Sequence, residues 1–318
     1  MLVQVTEPKR KLQRFLPVVS AAIAAVLAAG CAVSHTTVVK RSGPPVQLQS
    51  ATKQELIARY NEQAGAITSL NGTVTMTLTA GSAYTGVIKQ YHEIKAFILA
   101  QKPSSIRVIG QAPVVGTNIF DMESDGEVFR IFIPSQNKFL TGPASLERPS
   151  AKPIENLRPQ HITGAIFWDS IPAQSLVLLE EGSDDTSRYY VLTIARRTGN
   201  SGADAPDLDW EIAQKVWFDR ADLSVARRQS YDPGGKLASD VRYGNWDGFG
   251  AVHYARQIVL VQPGNDYKLQ IGITKAVFNE TIASDRFVLR QPPGAELVNV
   301  GEEPQEVKPV EPKTEPKN

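Results

Sequence analysis

Thr73-Val74-Thr75-Met76-Thr77-Leu78-Thr79 places an apolar side chain at every second position and a threonine at each position between. Successive side chains of an extended chain point to opposite faces, so this period of two marks a strand with one face buried and the other wet. Similar short runs recur downstream, over 87–99, 106–110, 117–122, 128–133 and 138–141, with Asp125-Gly126 as a hairpin signal between two of them. More follow over 189–195, 211–218, 224–231, 238–243, 255–261, 267–274 and 287–289. About a dozen strands at this spacing predict an antiparallel sheet or barrel.

Upstream of the threonine ladder the period lengthens. Thr52-Lys53-Gln54-Glu55 matches a capping box, and Leu56, Ile57, Tyr60, Ala64 and Ile67 follow at helical spacing, with Asn71-Gly72 expected to end the helix. A second amphipathic helix is expected from His161 to Pro172, where Ile162, Ile166 and Phe167 give an apolar side. An isolated apolar helix within an antiparallel sheet has to bury that side against the concave face, which makes it a candidate lid.

The chain begins with a different kind of segment. Lys9, Arg10, Lys11 and Arg14 precede a run from Phe15 to Ala29 in which Ser20 is the one polar residue. A helix of this length reaches only ~22 Å, short of the ~30 Å hydrocarbon core, so a secretion signal over 1–30 is the better reading than a spanning helix. The run closes with Leu27-Ala28-Ala29-Gly30-Cys31, and Cys31 is the only cysteine in the chain. That ending resembles a lipobox, the signal for diacylglycerol transfer to the cysteine thiol, although Ala28 stands where the pattern favours leucine. Ala32 follows instead of an aspartate, so delivery to the outer membrane is the expectation, with the protein facing the periplasm. Residues 31–49 contain Gly43-Pro44-Pro45 and read as a tether; 301–318 hold four prolines and eight charges and read as a disordered tail. The span 50–300 is left as one folded domain.

Composition excludes several functions. The chain carries 34 Lys plus Arg against 33 Asp plus Glu, so no basic field draws it to nucleic acid. A single cysteine allows neither an intramolecular disulfide nor a thiolate cluster. His92-Glu93 begins like a zincin helix but has Ala96 where the second histidine belongs, and Asp121 to Gly126 begins like a calcium loop but has Phe132 where the bidentate glutamate belongs. Asp204, Asp207 and Asp209 fit a solvated loop better than a calcium site. No catalytic residue, metal or cofactor is expected, and the chain is not read as an enzyme.

Taken in order, a further set of patterns resembles a known family. An opening helix and strands lead to Lys102-Pro103-Ser104-Ser105-Ile106-Arg107-Val108, a Pro-Val-Val-Gly turn at Pro113 to Gly116, and Asp125-Gly126 before Phe129-Arg130-Ile131. The mid-chain helix, Val216-Trp217-Phe218-Asp219, Tyr231-Asp232 with Gly234-Gly235, and Phe287-Val288-Leu289 complete the series. From about residue 67 to 298 the chain resembles the LolA/LolB-like lipoprotein carriers. The resemblance implies an incomplete, half-open antiparallel β-barrel with an N-terminal helix and a mid-chain helical lid, whose apolar cavity holds lipid acyl chains. It also implies lipoprotein cargo, a periplasmic carrier as donor, and an apolar loop that touches the bilayer, for which Val114 and Val115 are the candidates. The chain departs from the family in its length and its proline-rich tail. Candidate lining residues are Val74, Met76 and Leu78 from the first strand, Ile162, Ile166 and Phe167 from the helix, and Leu269 and Ile271 from a late strand. Two alternatives stay open: these residues line a usable cavity or fill a closed core, and the protein carries lipid or serves as a protein-binding platform.

Overall fold

The structure is a computed structural model that describes residues 47–300 apart from 82–85, 87, 114–115, 146–155 and 199–208. Cys31 with its signal segment, the residues of the tether before Gln47, the tail 301–318, the pair Val114 and Val115, and Asp204 and Asp207 lie outside the described residues. Helix α1 (Lys53–Ala66) starts at the predicted capping box: Thr52 accepts from the Glu55 amide, and the Glu55 carboxylate accepts from the Thr52 N–H at 2.7 Å. Asn71-Gly72 does not end this helix. The helix stops at Ala66, and both residues lie inside strand β1 (Ser69–Ala80), next to a bulge at Thr73. Gly72 suits this position because a Cβ would crowd the Lys275 carbonyl at 3.0 Å.

The remaining strands are β2 (Lys89–Gln90), β3 (Ile94–Gln101), β4 (Ser105–Gln111), β5 (Asn118–Ser124), β6 (Val128–Ile133), β7 (Lys138–Pro143), β8 (Leu176–Ser183), β9 (Arg188–Thr198), β10 (Asp209–Asp219), β11 (Val225–Tyr231), β12 (Leu237–Phe249), β13 (Val252–Gln262), β14 (Tyr267–Phe278) and β15 (Glu296–Asn299). They form one open sheet in the order β15-β7-β6-β5-β4-β3-β1-β14-β13-β12-β11-β10-β9-β8, with β2 beside β1. This is an incomplete, half-open barrel: two antiparallel meanders joined where β1 pairs β14, with β8 and β15 at the two edges. The run expected over 87–99 is divided into β2 and β3. The strand expected at 287–289 is absent; Ser284–Phe287 is a 3-10 turn, and the chain pairs with β7 only at β15, in parallel. Strand β8 escaped the period-two reading because Leu176-Val177-Leu178-Leu179 is a continuous apolar run.

The alternation of β1 places Val74, Met76 and Leu78 on the concave face, opposite Ile273, Ile271 and Leu269 of β14. The mid-chain helix, α2 (Pro159–Ile166), lies within the concavity against β4, β5 and β13. It is shorter than expected, because Phe167 turns to extended backbone. Its last carbonyls find no partner in the helix, and buried side chains supply the donors instead. Arg228 donates to the Gly164 carbonyl at 3.2 Å, Tyr243 to Ala165 at 2.8 Å and Tyr254 to Ile166 at 2.8 Å. A cation at the C-terminal end of a helix also meets the negative pole of the backbone dipole. Trp168 then stacks on Tyr60 of α1 at 5.4 Å and donates its indole N–H to Tyr243. Two further contacts tie the following loop to α1, with Asn61 accepting from the Ile171 amide and Lys102 bridging the Ala64 and Trp168 carbonyls.

This arrangement sets an expectation for stability. Tyr254→Phe keeps the ring but leaves the Ile166 carbonyl buried without its donor, which costs about 1–3 kcal/mol. Urea unfolding should show a lower midpoint with an unchanged slope.

Candidate functional site

One end of the concave face is filled by α2 and its aromatic neighbours, and the other end holds an apolar cavity of about 360 Å³. Met76 and Leu78 of β1, Leu269 of β14 and Phe120 of β5 are buried at its floor, together with Leu157 from the segment before α2. Ile94 of β3 adds a partly buried wall, and Tyr91, His92, Pro113 and Ile119 stand at a more exposed rim. The cavity is therefore apolar and buried at its base and open above. Gly110 makes room for one wall: a Cβ at this position would lie 2.5 Å from the Phe120 ring, so the missing side chain lets that ring lie across β4. The size falls at the lower end of the range for small-molecule sites, and the lining has almost no polar surface with which to select a polar ligand.

The expected lining residues divide into two groups. Met76, Leu78 and Leu269 line the cavity, whereas Val74, Ile162, Ile166, Phe167 and Ile271 are buried in the packed core beside it. Ile94, Phe120 and Leu157 were not anticipated. Ile94 is reachable by register, since it pairs with Met76 across β1 and β3. Phe120 depends on the small residue opposite it, a relation that no local pattern displays.

Polar groups near the site are few. His161 of α2 lies 2.7 Å from the Tyr267 hydroxyl through Nδ1. Burial, aided by the positive charge of Arg158, pushes its pKa down to about 4, so the imidazole is neutral near neutrality. The Arg158 guanidinium itself lies over the Phe129 ring, 4.8 Å from its centroid. Asp121, where the calcium-like stretch begins, is paired with Arg107 at 2.8 Å on the opposite face of the sheet. His92 stands exposed at the rim, and His253 stacks on Trp246 at 5.5 Å. Among the described residues no three His, Cys, Asp or Glu side chains converge as metal ligands.

No protein-family model matches the chain, and no curated protein matches it. Solved structures similar to it include a LolA superfamily protein from Nitrosomonas europaea, 13% identical, with 76% of this chain and 99% of that one covered and a TM-score of 0.44. A DUF1329 family protein from Desulfovibrio piger is 14% identical, with 73% and 94% covered and a TM-score of 0.45. A Vibrio parahaemolyticus domain described as an outer membrane lipoprotein-sorting protein is 12% identical, with 73% and 94% covered and a TM-score of 0.43. What the cavity of this chain can hold follows from its own lining.

The neutral buried imidazole gives a pH dependence with a defined sign. An unfolded chain protonates His161 near pH 6.5 and the folded one only near pH 4. The folded state therefore loses stability as pH falls through this window, by up to about 1.4 kcal/mol per pH unit. Above pH 6.5 neither state carries the proton and the effect disappears. Denaturant unfolding from pH 7 to 4.5 should show this slope in the wild type and a shallower one in His161→Gln.

Proposed function

We propose that this chain is a lipid-anchored protein of the cell envelope that binds acyl chains, belonging either to lipid or to a lipoprotein cargo, in its half-barrel. The observation that carries the reading is the cavity: it is concave, open at its rim and lined almost wholly by apolar side chains. Each methylene that leaves water for such a lining contributes about 0.8 kcal/mol without any directed polar contact. A hydrocarbon chain suits it better than any ligand with charges or many hydroxyls, because those groups would be buried without partners. The half-barrel supplies the shape, and the arrangement reads as a binding protein with no chemistry to perform on its ligand.

Attachment to the membrane rests on Cys31 and the segment before it. Among the described residues no helix is long and apolar enough to cross a bilayer. Two or three acyl chains on a mature N-terminal cysteine would give a durable anchor, and Ala32 after it supports the periplasmic surface of the outer membrane as the proposed place. Transfer of cargo from a periplasmic carrier is the role that this placement and the cavity support together. Val114 and Val115, which follow Pro113 in the sequence, are the residues proposed to touch the bilayer during delivery.

Filling the cavity should separate binding from folding. Leu78→Trp directs a larger ring into the void, and a fluorescent fatty acid or phospholipid should then bind at least ~tenfold more weakly, a loss of about 1.4 kcal/mol. The thermal midpoint should stay close to that of the wild type. Equal binding by both proteins refutes the cavity as the acyl site. Cys31→Ser should separately release the protein from membrane fractions and remove lipid mass from its N-terminus, while leaving acyl binding by the domain intact.

A further inference from the structure

Strand β8 is an edge of the sheet, hydrogen-bonded to β9 on one side. Its hairpin with β9 closes where the Asp184 N–H donates to the Ser187 carbonyl at 3.1 Å. By the alternation of an antiparallel ladder, Leu176, Leu178, Glu180 and Gly182 then direct their backbone groups at β9, whereas Val177, Leu179, Glu181 and Ser183 direct theirs outward. Lys53 bears out this phase, because its Nζ donates to the Val177 carbonyl at 3.2 Å. Among the described residues no hydrogen bond reaches the outward N–H and C=O of Leu179 or Glu181. The side chains beside this edge are apolar and wet: Leu178 is 58% exposed and Leu176 40%, and through Ala195 the surface continues to Ile212 at 37% and Trp210 at 46%.

We propose that β8 is a docking edge for an extended segment of another polypeptide, which adds to the sheet as a further strand. Its apolar side chains lie beside Leu176 to Leu179, and a Lys or Arg lies beside Glu180 and Glu181. The charge at that end comes from unequal exposure within two ion pairs. Glu180 is 57% exposed against 28% for its partner Lys215, and Glu181 67% against 16% for Arg220, so an approaching chain meets carboxylate. Asp185 follows in an exposed turn. A bilayer is the poorer occupant, since its hydrocarbon cannot satisfy outward backbone groups and anionic headgroups are repelled by the glutamates. A second copy is poorer as well, because two-fold pairing about Leu179 sets Leu178 against Glu180 and Val177 against Glu181. An edge whose outward backbone groups stand beside exposed leucines and carry no proline or bulge invites strand addition, and main-chain bonds then supply affinity while alternate side chains supply selectivity.

The test uses the full chain and a fluorescein-labelled Lys-Arg-Thr-Val-Thr-Val peptide, read by fluorescence polarisation. Leu179→Pro removes an N–H that faces away from β9, so the β8–β9 ladder survives while the added strand loses a hydrogen bond. Binding should weaken at least ~tenfold with an unchanged thermal midpoint. Leu178→Lys, a change at an exposed side chain, should weaken it to a similar extent and guards against a folding defect in the proline variant. Peptide N-methylated at alternate amides, and peptide with Glu-Glu in place of Lys-Arg, should both bind far more weakly. Binding that ignores Leu179→Pro and N-methylation overturns strand addition, and so does absence of binding up to about 1 mM peptide. Self-association in sedimentation that Leu179→Pro abolishes assigns the edge to a second copy and also overturns the proposal, as does capture by anionic phosphatidylglycerol vesicles that Leu178→Lys abolishes.

Discussion

The pairing of β1 with β14 is the constraint on which the rest of the molecule depends. It joins strands about 200 residues apart in sequence, with Leu70 opposite Phe278 and Ala80 opposite Tyr267, and so turns two local meanders into one curved sheet. Contacts this distant in sequence carry a large loop-closure cost, which the apolar rows on the concave side must offset. Those rows are the pairs Val74 with Ile273, Met76 with Ile271 and Leu78 with Leu269. The same three pairs run from the packed core to the cavity floor. Closure of the sheet and construction of the site are therefore one event.

Within the concavity the two ends have opposite characters. At one end a short helix is held through its C-terminal carbonyls by Arg228, Tyr243 and Tyr254, all buried, and the aromatic rings of Tyr60 and Trp168 close over it. Polar groups so deep in a core restrict its arrangements, because each alternative position of the helix leaves several donors unsatisfied. At the other end the walls are apolar and carry no such directional bonds, so they can admit a flexible chain. A helix anchored in this way divides the half-barrel into a fixed part and a receptive part.

The sheet's opposite edge follows a separate logic. Barrels that close remove their edges, and this sheet does not close, so β8 keeps outward backbone groups beside a leucine-rich surface. An open barrel gains an accessible interior at the cost of an unprotected rim. The apolar cavity and the strand edge are two consequences of that single opening.

Much of the fold was legible in the amino-acid sequence by itself. The threonine ladder of 73–79 marks a half-buried strand because side-chain direction alternates with backbone geometry alone, and the Thr52–Glu55 box marks a helix start because capping involves neighbours three residues apart. Local patterns also placed Met76, Leu78 and Leu269 on an apolar face. They did not reveal β8, whose continuous apolar run has no period, nor that Asn71-Gly72 belongs to a strand, where the reason for glycine is a carbonyl 203 positions later. Which apolar residues end in void and which in packed core was likewise undecided. Val74 and Met76 are alike in pattern and adjacent on one face, yet one is enclosed and the other lines the cavity. That difference arises from what stands opposite each of them, and only the tertiary structure brings α2, Phe120 and Leu157 to those positions.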